Sequence, residues 1–362
     1  MNVVLRPSTR TRLTLARKIS CSLENDPRVL AVIATGSLVR NRCSGTSDLD
    51  ITVITADQGN RRSVTSDIRQ GIVIDIEWLT KRRAESIMRG GRRDLKGLRE
   101  ASRLGLGIFL LDRDSLQTSF RVLACTLLPE KQMVDQRVAA LEAILKKCVS
   151  RRPGSPEIQW EWCRALADNL AFILLMLHPF RYHKPKWVMA DLRDAGHQSL
   201  DRLVRKAYRI SSDSSNTSRR SLEVSRMFIE EMGRLMNLPE IEPMLNKGFT
   251  RKYAAWSYLC RTWEDAASLF QDQAFIEANF TAKFAARMTF PLYLEKFGLP
   301  HRSTHPLAIL KAIGNDRLST LYRRLFPIPV NRPFPGSQVR QACVDLVRTC
   351  VKMKAGVFGG ER

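Results

Sequence analysis

Apolar residues recur along this chain with two different periods, and the change of period divides it. Leu13, Leu15, Ala16, Ile19 and Leu23 fall at helical spacing and predict a first helix with one buried stripe. From Val29 to Ala34 every residue is apolar, Thr35-Gly36-Ser37 breaks the run, and after a polar loop Asp48–Thr55 reads as a second strand. Gly71–Thr80 reads as a third. A polar connection containing Gln58-Gly59-Asn60 and an Arg pair separates the second strand from the third. A helix-forming stretch from Lys81 to Arg103 follows, then a fourth strand over Gly107–Leu111. This order predicts a small domain of helices and sheet ending near residue 120.

Beyond it the helical period dominates. Residues 121–149 read as one helix or a broken pair, and RRPGSPE at 151–157 punctuates the chain before a long helix from Ile158 to Leu177. SSDSSNTS at 211–218 reads as a polar loop between helices. Helical patterns resume over 219–298 and 305–325, PIPVNRPFPG at 327–336 is too rich in Pro for a helix, and a last helix is expected from Gln338 to Lys354. The expected fold class is α+β. A first domain is expected over 1–120, a helical linker over 121–156, and a mainly helical second domain over 157–362.

Composition narrows the function classes. The 44% hydrophobic and 26% charged residues describe an ordinary globular chain. The formal charge of +23 does not; it predicts attraction to polyanions, nucleic acid and nucleotide phosphates among them. The excess is spread over both halves, so it locates no groove. Eight cysteines without a CxxC pair indicate neither a zinc site nor a disulfide framework. His301 and His305 are four apart but flanked by Pro300 and Pro306, which argues against a helical metal pair. No Walker-type loop appears, which counts against a P-loop kinase or ATPase. The longest apolar run, LAFILLML at 170–177, is far short of a membrane span. A cytoplasmic protein with reduced thiols is expected, although the basic, hydroxyl-rich N-terminus also has features of an organelle-import segment.

The chemistry concentrates between residues 34 and 77. Alternation on a strand sends Asp48 and Asp50 to one side while Leu49 and Ile51 enter the core. Like charges that close raise each other's pKa unless a cation compensates, and Mg²⁺ with its preference for oxygen is the natural partner. Asp75 and Glu77 are also two apart on their strand, so either offers a third carboxylate for two-metal phosphoryl chemistry. Gly36, lacking a Cβ, admits phosphates close to the backbone, and Ser37 adds a hydroxyl and an N–H. Arg40 and Arg42 lie in the loop between this turn and the aspartates, suited to neutralising charge on the phosphates.

The compound pattern resembles the nucleotidyltransferase superfamily related to DNA polymerase beta, in particular the small bacterial-type domains shared with aminoglycoside nucleotidyltransferases. The resemblance covers roughly residues 25–115. It implies that Asp48 and Asp50 bind Mg²⁺, as two ions, that Asp75 is the third carboxylate with Glu77 as fallback, and that Gly36-Ser37 holds the triphosphate of an NTP such as ATP. In several antibiotic-modifying relatives a helical domain covers the cleft and supplies a base for the acceptor hydroxyl. Glu157, Glu161, Arg164 and Asp168 share a face of the helix at 158–177 by their spacing, which makes Glu161 or Asp168 the candidate base. The run Arg181-Tyr182-His183-Lys184-Pro185-Lys186-Trp187 resembles a segment found at this point in such proteins, making Lys186 a further candidate; Trp187, set among Arg and Lys, is suited to stacking on a substrate ring.

Three functions fit these residues. The first is nucleotidyl transfer to a small-molecule hydroxyl or amine; the strongly basic composition sits better with a neutral or anionic acceptor than with a cationic one. The second is transfer to RNA or a protein side chain, which the charge favours for RNA. The third is an inactive nucleotide-binding or regulatory relative, against which three retained acids speak.

Overall fold

The computed structural model describes residues 7–45, 47–57, 62–89, 95–127, 129–149, 156–177, 185–210, 215–241, 253–299 and 306–327. The chain is α+β and falls into two compact units, residues 1–134 with 175–183 and residues 135–174 with 184–362. The helix expected over 338–354, the histidines at 301 and 305, and most of the 178–187 segment lie outside the described residues.

The first unit runs α1 (Pro7–Leu23), β1 (Val29–Ala34), a 3-10 turn (Gly36–Arg40), β2 (Leu49–Thr55), β3 (Arg62–Arg69), β4 (Ile72–Thr80), α2 (Lys81–Met88), α3 (Leu95–Gly105), β5 (Ile108–Asp112) and α4 (Leu116–Thr126). The strands form one mixed sheet in the order β3-β4-β2-β1-β5, in which β2 and β4 run parallel and the other pairs antiparallel. Because β1 is interior, both of its faces are apolar. Val32 and Ala34 join Leu15, Ala16 and Ile19 of α1 in one core. Ala31 and Ile33 join Ala84, Leu104 and Phe120 from α2, α3 and α4 in the other. β2 alternates in the same way: Leu49, Ile51 and Val53 face the first core and Ile54 the second.

Two expectations are corrected here. Residues 62–69 are not part of a polar connection but a full edge strand whose residues are all exposed. It is joined to β4 by Gln70-Gly71, both at positive φ (54° and 72°), the geometry of a tight hairpin turn. An exposed edge needs no apolar alternation, so the hydrophobic pattern was blind to it. The stretch 81–103 forms α2 and α3 instead of one helix. Thr80 caps α2, its hydroxyl accepting from the Arg83 N–H at 3.3 Å.

The helices of the second unit include α6 (Pro156–Leu177), α7 (Val188–Asp194), α8 (Gln198–Ala207), α9 (Ser215–Leu235), α10 (Ala254–Gln271), α11 (Phe275–Lys296), α12 (Pro306–Ile313) and α13 (Asp316–Leu325), following α5 (Lys131–Val149) in the chain. Residues 215–218, expected in a loop, are the first turn of α9, where Ser218 is buried and donates to the Phe275 carbonyl at 2.9 Å. An aromatic cluster of Tyr208, Phe228, Phe280, Phe290, Tyr322 and Phe326 packs the interior.

Candidate functional site

The site grows from the end of β1. Thr35 stays extended and ties the turn to β2, its N–H donating to the Asp50 carbonyl at 2.9 Å. Gly36 then takes φ +73°, and the chain coils through Ser37 to Arg40 before Asn41, at φ 54°, closes the turn. Glycine is required at 36 for two reasons. The left-handed conformation is one; the other is that a Cβ there would lie 2.2 Å from Asp50 Oδ2. The carboxylate of Asp50 rests directly against the backbone of the turn.

Asp48, immediately before β2, and Asp50, within it, meet Asp75 of β4. One ligand oxygen from each lies within 4.8 Å of the others, and all three residues are half-buried. Parallel pairing places Asp50 opposite Asp75. Asp75 is oriented from the far side by Ser66 of β3, whose hydroxyl donates to Oδ1 at 2.6 Å. Three hard oxygen donors on one small volume suit Mg²⁺ or Mn²⁺ and fit no soft metal.

Glu77 is occupied elsewhere. It is 5% exposed, opposite Thr52, and paired with Arg62 at 2.6 Å and with Arg103. Alternation alone offered Asp75 and Glu77 equally; the two arginines separate their roles.

Ser37 is buried, with its hydroxyl 3.6 Å from the Cys43 sulfur, so its side chain packs into the loop. Arg42 is also buried and its N–H donates to the Ser37 carbonyl at 2.9 Å, while Arg40 is half-buried at the end of the turn. A residue not singled out in the sequence, Arg12 of α1, holds the loop that delivers Asp48. It is 3% exposed and donates to the carbonyls of Ser47 (2.7 Å) and Gly45 (2.9 Å). A signal existed: Arg12 precedes Leu15, Ala16 and Ile19 by three, four and seven residues, so it lies on the buried stripe, where a charge must find partners.

The candidate base residues of the second unit occupy a closed network. Glu161 is 3% exposed, pairs with Arg164, and accepts from the Tyr322 hydroxyl. Asp168 accepts from the Tyr208 hydroxyl at 2.8 Å and from Arg287 at 2.8 Å. Burial raises the Asp168 pKa, against the pull of Arg287 and of the Tyr208 hydrogen bond. These bonds knit α6 to α11, α13 and the end of α8. Lys186 is buried against Asp265 at 2.6 Å, and Trp187 is buried beside Leu269 and Ala278, so neither offers an open surface. The described cysteines 21, 43, 125, 163 and 260 are free thiols, and among the described residues no helix is long and apolar enough to cross a membrane.

No family model and no curated protein matches the chain. Among solved structures it is similar to a nucleotidyltransferase-like protein from Exiguobacterium sibiricum 255-15, at 12% identity over 87% of this chain and 88% of that one, with a TM-score of 0.27. At that overlap the functional reading rests on the residues of the site.

Proposed function

We propose that this chain is a divalent-metal-dependent nucleotidyltransferase that moves a nucleoside monophosphate from an NTP to a small-molecule hydroxyl or amine. The observation that carries this is the convergence of Asp48, Asp50 and Asp75 within 4.8 Å beside a glycine turn into which Asp50 packs. Those three carboxylates would hold Mg²⁺, which when bound neutralises charge on the phosphates and polarises the acceptor oxygen. Gly36 and Ser37 would carry the triphosphate on the backbone of the turn, and Arg40 and Arg42 would offset its charge. Ser66 fixes Asp75 and Arg12 fixes the Asp48 loop, so the three acids are set before substrate arrives. In the reaction the bond between the α-phosphorus and the bridging oxygen breaks, a bond from the α-phosphorus to the acceptor forms, pyrophosphate leaves and the acceptor's proton passes to water.

The test is incubation of the full chain with each α-labelled NTP, Mg²⁺ and a panel of small hydroxyl and amine acceptors. Label is expected on one acceptor class with stoichiometric pyrophosphate. NTPs left intact with every acceptor, together with no Mn²⁺ bound to the protein, would overturn the proposal.

A further inference from the structure

The second unit contains a cavity of about 840 Å³ between the end of α8, the first turns of α9, and α11 and α13. Among the described residues five cations line it, Arg209, Arg220, Lys283, Arg323 and Arg324, and no carboxylate does. Among the described residues none of the five makes an ion pair. Lys283, the buried one of the five, differs in this from the unit's buried Arg164 and Lys186, which are paired with acids.

Lys283 is the deep one, and Arg209 is half-buried. Lys283 is 3% exposed, and its ammonium donates to the carbonyls of Tyr208 (2.8 Å) and Arg209 (3.2 Å), leaving one of three protons for the cavity. Burial, with Arg164 and Arg209 nearby, pushes its pKa down to about 7. Arg209 lies over the Trp160 ring at 4.5 Å, and its Nε and Nη2 are buried without a hydrogen-bond partner among the described residues. Donors buried in this way are costly if left unmet. Asn216 and Thr217 add the first turn of α9, a 21-residue helix with no acid in that turn, which favours an anion.

We infer that this cavity binds a small phosphorylated molecule through its phosphates, with Arg209 and Lys283 as the floor and Arg220, Arg323 and Arg324 as the rim. A concave volume of this size matches a small ligand, and Lys283 is beyond the reach of a nucleic-acid backbone tracking the surface. The proposal does not depend on the transferase reading.

Calorimetric titration with inorganic tripolyphosphate in about 0.15 M salt, without divalent metal, tests it in an Asp50→Asn background that disables the carboxylate site. Saturable 1:1 binding is expected below about 1 mM, weakened about ten-fold or more in Arg220→Ser/Arg323→Ser, whose changes are exposed. Arg209→Met is expected to do the same with its circular dichroism unchanged. An exposed control, Arg69→Ser, is expected to bind as its parent. ATP binding no tighter than tripolyphosphate marks the phosphates as the recognised part. Three results overturn the proposal: no binding by the parent chain, equal loss in Arg69→Ser, or affinity that appears only with RNA oligonucleotides and grows with their length.

Discussion

Replacing Gly36 by Ala asks how closely the turn and the carboxylates are coupled. The added methyl carbon would sit 2.2 Å from Asp50 Oδ2 and 3.2 Å from its Cγ, where ordinary contact begins at 3.4 Å. The carboxylate must therefore retreat by roughly 1 Å, a displacement that costs on the order of 10²-fold in rate where groups are pre-positioned. Alanine at φ +73° adds a backbone cost of about 1–2 kcal/mol. Gly71 supplies the control, because it has nearly the same φ, +72°, and nothing within 4 Å of an added Cβ. Gly36→Ala and Gly71→Ala should thus lose similar backbone free energy in urea denaturation. Only Gly36→Ala should lose Mn²⁺ affinity, measured by electron paramagnetic resonance, and pyrophosphate release. Equal Mn²⁺ affinity in the two variants would refute the coupling.

Three further outcomes follow from the geometry. Asp75→Asn should lose metal binding with little change in stability, whereas Glu77→Gln should keep metal binding and lose about 3 kcal/mol in urea melts, because Arg62 and Arg103 are left without their buried acid. Arg12→Met should free the Ser47 and Gly45 carbonyls and weaken Mn²⁺ binding about ten-fold, as loss of an outer orienting group does. Lys283 gives a pH signature. Its pKa is about 7 in the fold and 10.5 ordinarily, so between those values the unfolded chain holds more protons and stability rises with pH, by up to about 1.4 kcal/mol per unit. Lys283→Met should remove that slope, so the stability gap between wild type and variant should shift in favour of wild type from pH 7.5 to 9.

The part of the site closest in sequence was legible and the part assembled from afar was not. Alternation placed Leu49 and Ile51 inside and Asp50 opposite them, and β2 bears this out residue by residue. The same rule could not distinguish Asp75 from Glu77, since side chains two apart share a face. The distinction comes from Arg62 on β3 and Arg103 on α3; the first lay in a strand with no apolar signature, the second in a helix read as continuous with α2. Likewise, helical spacing grouped Glu161, Arg164 and Asp168 correctly on α6. It could not reveal that Tyr208, Arg287 and Tyr322, from elements far along the chain, would close over them. Trp187 was misjudged for a similar reason: neighbouring basic residues suggested an exposed ring, but Leu269 and Ala278 cover it.

The most direct measurement of the central claim compares wild type with Asp50→Asn in NTP turnover, with Mg²⁺ and the best acceptor present and folding checked by circular dichroism. The account expects wild type to release pyrophosphate and the variant, folded alike, to release at least about 10²-fold less. Equal pyrophosphate release by the two proteins would contradict it.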